Sequence, residues 1–202
     1  TAHRNIILGG SNNLIINAYE SMILSGTSNE ISGSTIVQTG ADYPSNRGNR
    51  NIILCGVRNK ITGGSYASGI LGGEDNLIIQ EGTEINSEPY LCVIGGGSNN
   101  QIRHISSHPV ISGGSYNKIH LGHFGVIAGG ERNQIVSGST RSVISGGSYN
   151  EIGNPDGTGV TTNSWVTIGG GRLNKVHNGA AYSVIGGGYT NTISSTGDYN
   201  AI

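Results

Sequence analysis

Charge, cysteine and long apolar runs are all scarce in this chain of 202 residues. Only 11% of the residues are charged and the formal net charge is −1, so the basic footprint that a nucleic acid or an anionic membrane requires is missing. No apolar run approaches the roughly 20 residues of a membrane span. The chain also opens inside a repeat rather than on a signal peptide, and membrane insertion of this segment is not expected. The only cysteines are Cys55 and Cys92. Their phases in the repeat put them two coils apart, about 10 Å at the spacing of stacked strands, which is beyond disulfide reach; packed free thiols are expected. Glycine is abundant, at 36 residues. It does not recur every third position, which excludes collagen, and regular aliphatic columns argue against disorder.

What is present is one ten-residue phrase, VISGGSYNKI at 110–119, repeated almost unchanged as VISGGSYNEI at 143–152. With its second apolar residue as an anchor, eleven copies align on Ile7, Ile23, Val37, Ile53, Ile70, Ile94, Ile111, Ile127, Ile144, Ile168 and Ile185. The steps are mostly 16 or 17 residues, with two of 24. A fixed period of this size signals a solenoid. The fold expected is therefore all-β: a parallel β-solenoid, or β-roll, of about eleven coils forming a single domain over 1–202, with a rod length on the order of 50 Å.

Each column of the repeat has a physical reading. Glycine stands three residues after every anchor, as at Gly10, Gly114 and Gly188, which predicts a corner of positive φ. Asparagine stands six after it in ten of eleven copies, among them Asn13, Asn59, Asn117, Asn133, Asn150, Asn174 and Asn191. Ile or Val stands eight after it in ten of eleven. Asparagine and aliphatic share one face of a strand, and the residue between them, such as Lys118 or Glu151, takes the other. Stacked coils would align the asparagines into a structural ladder in which amide bonds to amide.

The anchor itself is preceded by a second apolar residue in nine of eleven copies. Both faces of that arm then call for burial. One closes the solenoid core and the other needs a partner, so a homo-oligomer is expected. The residue after the anchor shrinks from Leu8, Leu24, Leu54 and Leu71 to Gly95, Ser112, Ala128, Ser145, Gly169 and Gly186, which suggests a cross-section that narrows toward the C-terminal half.

Departures from the period mark candidate contacts. The third copy is a degenerate coil at 41–50, where Tyr43 and Ser45 replace the asparagine and the aliphatic and Pro44 withholds a donor. The long steps place insertions near 80–90 and 153–165, and solenoid insertions project as loops that often recognise a ligand. Their candidate contact residues are Glu84, Glu88 and Tyr90 in the first, and Asp156, Asn163 and Trp165 in the second. Tyr116 and Tyr149, both five after an anchor, face outward beside a buried asparagine and could offer stacking platforms for sugar rings. The bland alternative for all of these is ordinary surface.

No convergent catalytic constellation is present, so no enzyme is expected, and no cofactor. His104, His108, His120 and His123 fall at different phases with no carboxylate pattern beside them, and read as turn residues rather than a metal site. The acidic group Glu74, Asp75, Glu81, Glu84 and Glu88 lacks a calcium-loop spacing.

The SVIxGGxxNxI units at 110–119, 126–135, 143–152 and 183–193 resemble the head repeats of YadA-type trimeric autotransporter adhesins and of related bacteriophage and viral fibre proteins. That resemblance implies a left-handed roll, three chains packed through one sheet each, and display on a cell or virion surface. The function it implies is a non-enzymatic adhesive or receptor-binding segment, with a host glycan or protein as partner. A purely structural stalk and an ice-binding solenoid are the alternatives.

Overall fold

The computed structural model describes residues 4–33, 50–63, 65–79, 91–103, 107–136, 138–154, 163–177, 179–194 and 199–202. Their strands form two parallel sheets of ten strands each, one from the first arm of every coil and one from the second. The chain alternates between the sheets, so each strand pairs with the equivalent strand of the next coil. Val110↔Val126 and Ile111↔Ile127 set the register in the first sheet, and Lys118↔Gln134 and Ile119↔Ile135 in the second. The repeated positions therefore lie directly above one another, and the parallel β-solenoid expected from the period is the fold.

The count of coils differs from the expectation in one place. The strand Met22–Ile23 pairs directly with Ile52–Ile53, and Glu30–Ser32 with Lys60–Thr62. The third copy is thus spliced out of the stack, which holds ten full coils rather than eleven. Its Tyr43 and Ser45 offer neither the asparagine nor the aliphatic that a rung needs, and residues 34–49 lie outside the described residues. At the other end, Ala201 bridges Val184, and Gly186 N–H donates to Ile202 O at 2.8 Å, so the chain begins the twelfth copy in register.

Two aliphatic columns fill the core. The described anchors from Ile23 to Ile185 are fully buried, as are the described second-arm aliphatics from Ile31 to Val176. Burying each such side chain contributes about 1.5–3 kcal/mol. The column before the anchor lies on the outer face of the first sheet, where Met22, Ile52, Val110, Val126 and Val143 are half-buried against their own neighbours up and down the stack. The column after the anchor also points outward, with Leu8 and Leu71 exposed. Its shrinkage from leucine to glycine therefore changes the surface and does not taper the core.

The corner glycine has the positive φ that its column predicts, +88° at Gly130, where a Cβ would stand 2.1 Å from the Gly147 carbonyl oxygen. Coils approach too closely there for any side chain. The asparagine column is buried, yet its links differ from the amide-to-amide ladder expected. In Asn117, Nδ2 donates to Gly113 O at 3.0 Å within its own coil and to Gly130 O at 2.9 Å in the next, while Oδ1 accepts the backbone N–H of Asn133 at 3.0 Å. The same pattern holds at Asn133, Asn150 and Asn174. Direct amide-to-amide bonds are present only from Asn29 to Asn13 and from Asn76 to Asn59 among the described residues. Backbone groups at the corner need partners more than the amides need one another, and satisfying them is the side chain's role.

The cysteines are free, with Cys92 buried and Cys55 exposed. Only one of them is packed, because Cys55 falls on an outward column of the first arm.

Candidate binding edge

From the coil of Ile23 onward, two corners of every described coil carry a non-glycine residue in the left-handed region. Apart from Asn17 and Leu121, all such residues lie either three before an anchor or five after one. That conformation costs about 1–2 kcal/mol per residue. It is offset by a hydrogen bond to the coil beneath: Tyr116 N–H donates to Ser98 O, Phe124 to Ser107 O, Arg141 to His123 O and Trp165 to Thr140 O, all at 2.8–3.0 Å. Because every corner has the same φ, every corner side chain leaves in the same direction, and successive coils stack them.

At the corner preceding the first arm the stack is continuous over six coils. His108 lies flat on Phe124, with ring centroids 5.0 Å apart and 2° between planes. The Arg141 guanidinium sits 5.4 Å from the Phe124 ring and 5.0 Å from the Trp165 ring. Trp165 stacks on Tyr182 at 6.4 Å, and Tyr182 on Tyr199 at 5.2 Å. All six side chains are exposed, Trp165 at 51% and Tyr199 at 80%.

The opposite corner carries a shorter stack, in which Arg132 lies between Tyr116 at 5.1 Å and Tyr149 at 5.3 Å. Its charges are matched locally. Arg132 pairs with Glu131 at 2.6 Å. Further down, Arg58 bridges Glu74 and Asp75. The hydrogen bonds it donates to Asp75 and Glu74 hold the Arg58 guanidinium above its ordinary pKa, and Arg58 holds the Asp75 carboxyl below its own. Ser28, Glu30, Lys60 and Leu77 extend this corner into a shallow groove, where Lys60 meets Glu30 at 2.8 Å.

Of the residues singled out from sequence, Trp165 takes a central rung of the long stack. Tyr116 and Tyr149 face outward as expected, exposed at 51% and 37%, but Arg132 covers one face of each, so neither presents two free faces to a sugar. Asn163 is fully buried; its Oδ1 accepts Gly179 N–H at 3.0 Å, which makes it a brace of the corner behind Trp165 and not a surface contact. Glu84, Glu88, Tyr90 and Asp156 lie outside the described residues, as do Glu81 and His104. The acidic candidates Glu74 and Asp75 are occupied by Arg58. Reading the sequence around the anchor offered Tyr182 with Trp165 as outward aromatics, but missed that His108, Phe124, Arg141 and Tyr199 join them in one set. The signal was available three residues before each anchor, a column whose members share no chemistry until stacking unites them.

All three departures from the period enter at this same edge. Each lies in the connection from the second sheet to the first: between Glu30–Ser32 and Ile52–Ile53, between Leu77–Ile79 and Val93–Ile94, and between Glu151–Ile152 and Thr167–Ile168. They lead into Arg50, Leu91 and Trp165, members of the stacked corner column. The reverse connection, through glycine and asparagine, never changes length, because the ladder forbids it. In comparison with known proteins, the chain matches no family model and no curated sequence.

Proposed function

We propose that this chain is a non-enzymatic adhesive or receptor-binding segment of a surface fibre, displayed outside a cell or on a virion, whose partner is a host or environmental glycan or matrix protein. The observation that carries this reading is the coincidence, on one edge of the solenoid, of every insertion and of the long exposed stack from His108 to Tyr199. Recognition residues concentrate on loops held by a rigid scaffold, and here the scaffold leaves a single edge free to vary.

The outer face of the first sheet supports assembly of several copies. Across all ten coils, neither the column before the anchor nor the column after it holds a charged residue, whereas the outer face of the second sheet carries Glu30, Lys60, Lys118, Glu151 and Lys175. An uncharged face of this height, repeating at the rung spacing, matches a second copy of itself better than it matches solvent. Three chains packed through this sheet, with the stacked edges outermost, is the assembly proposed.

A screen of immobilised glycans and matrix proteins against the intact chain tests the binding reading, with deletions of 80–86 and 155–161 in parallel. Binding that is lost or weakened on deletion supports it. An empty screen, together with adhesion that survives both deletions, would sink it. A structural filament is the second reading, favoured by the same uncharged face; lateral bundling without any ligand would select it.

A further inference from the structure

The geometry points to a linear glycan bearing carboxylate or sulfate groups as the ligand of the stacked edge, with the Arg141 guanidinium as its central anion contact. This deepens the adhesive reading and rests on it.

Arg141 differs from the other corner arginines of the solenoid. Arg50, Arg58 and Arg132 each pair with an acid, at Glu20, Asp75 and Glu131. Arg141 is exposed, donates no side-chain hydrogen bond and meets no carboxylate among the described residues. It lies between two rings, Phe124 at 5.4 Å and Trp165 at 5.0 Å. A stacked guanidinium keeps its in-plane N–H fork free, and that fork matches carboxylate or sulfate oxygens two at a time. Stacking also holds the group still, so less side-chain entropy is lost on binding.

The neighbouring rungs extend the same preference. Each ring of the stack has its faces turned to the rungs above and below, so what meets solvent is the ring edge, which is the positive part of an aromatic quadrupole. Trp165 adds an indole N–H, and Tyr182 and Tyr199 add hydroxyls. None of the six stacked residues from His108 to Tyr199 is a carboxylate. The result is a line of donors and positive edges over six rungs, roughly 24 Å long at the strand spacing, which suits an extended anionic chain lying parallel to the axis.

A nucleic acid fits less well. Single-stranded binding stacks bases on free aromatic faces and neutralises several phosphates. Here the internal ring faces are already covered, and Arg141 is the one arginine or lysine among the six stacked side chains.

The test is surface binding of the intact chain to dextran sulfate, hyaluronan, neutral dextran and oligo-dT, at low and physiological salt. Expected is binding to a charged polysaccharide, weakened by salt, with none to neutral dextran. Arg141→Ala should lower affinity about tenfold, the equivalent of about 1.4 kcal/mol, and Lys175→Gln, on the opposite sheet, should leave it unchanged. Arg141→Lys keeps the charge without the fork; it should fall between the two and serves if the alanine variant does not fold. Binding of dextran sulfate alone assigns sulfate and of hyaluronan alone carboxylate, and either supports the inference. Equal binding of neutral dextran or oligo-dT overturns it, as does indifference to both Arg141 variants or equal loss with Lys175→Gln. If the charged polysaccharides fail while the broader screen finds another ligand, the inference falls and the adhesive reading stands. If that screen is empty too, both fall.

Discussion

Asn76 and Asn100 are 24 residues apart, yet they meet as any two successive ladder asparagines do: Asn100 N–H donates to Asn76 Oδ1 at 3.0 Å, and Asn76 Nδ2 donates to Gly97 O at 2.9 Å. The insertion of residues 80–90 into the sequence between them disturbs neither contact. The side of the coil that carries glycine and asparagine is the part held constant, and the edge opposite absorbs all variation.

Removing a ladder side chain should therefore be costly in the interior. Asn117→Ala strands the Gly113 carbonyl and the Asn133 N–H, and leaves the Gly130 carbonyl with only the Ser115 N–H. At about 1 kcal/mol or more for each unsatisfied group, a loss of about 2 kcal/mol or more is expected, read as a lower urea midpoint at unchanged slope. Asn191→Ala strands only the Gly187 carbonyl and should cost about 1 kcal/mol. Equal losses at the two positions would contradict the ladder described.

Adjacent glycines should respond in opposite ways. Gly130→Ala places a Cβ 2.1 Å from the Gly147 oxygen at a φ of +88°, whereas Gly129 has no atom within 4 Å of its ideal Cβ and no positive φ. The first variant should melt far lower or fail to fold. The second should stay within about 0.5 kcal/mol of the parent, with a slight gain possible from a stiffer unfolded chain. Thermal denaturation of the pair checks both.

The cysteines give a pH signature. Burial pushes the Cys92 thiol up to about 12 from an ordinary 9.0, opposed by a hydrogen bond with Ser68. The unfolded chain thus releases this proton first as pH rises. The contribution is intact below pH 9.0, declines by about 1.4 kcal/mol per pH unit above it, and is lost by about 12. Cys92→Ala should flatten that alkaline limb relative to the parent. Under native conditions iodoacetamide should add a single label, at Cys55, and a second only after unfolding, as mass spectrometry would show.

The uncharged sheet face predicts a native mass near three times 20.8 kDa by light scattering. Val143→Lys sets a cation in the middle of that face without touching the core, and should shift the mass to that of one chain. A parent that is already monomeric would remove the face as an interface.

Most of the fold was legible because every coil buries the same positions. Ile111, Gly114, Asn117 and Ile119 each answer a separate demand, for core, corner, corner bonding and core, so a period of 16 or 17 residues carries the register with it. The third copy misled because Val37 and Gly40 satisfy half of the pattern. A coil needs both arms, and Tyr43 and Ser45 could not supply the second. The ladder's partners were hidden for a different reason: asparagine at a regular spacing tells that amides align, but not that the groups in need of a partner are the Gly113 carbonyl and the Asn133 N–H. The stacked edge was least visible, since histidine, phenylalanine, arginine and tryptophan form no column by type and become one only when a shared left-handed φ aims them alike.

The asparagine contacts also give the solenoid a sense of direction. Each side chain braces its own corner and reaches to the following coil, with Asn29 and Asn76 alone also donating back to the preceding one: Asn150 Nδ2 goes to Gly171, and Asn174 Nδ2 to Gly188. Peeling away a coil from the leading end leaves the next coil's asparagine with both of its Nδ2 bonds. Peeling one from the trailing end leaves the asparagine beneath with only the bond to its own corner, as at Asn191. The two ends of the rod are thus chemically unlike, and amide exchange should spread unequally from them, as it would along a zipper whose teeth all lean one way.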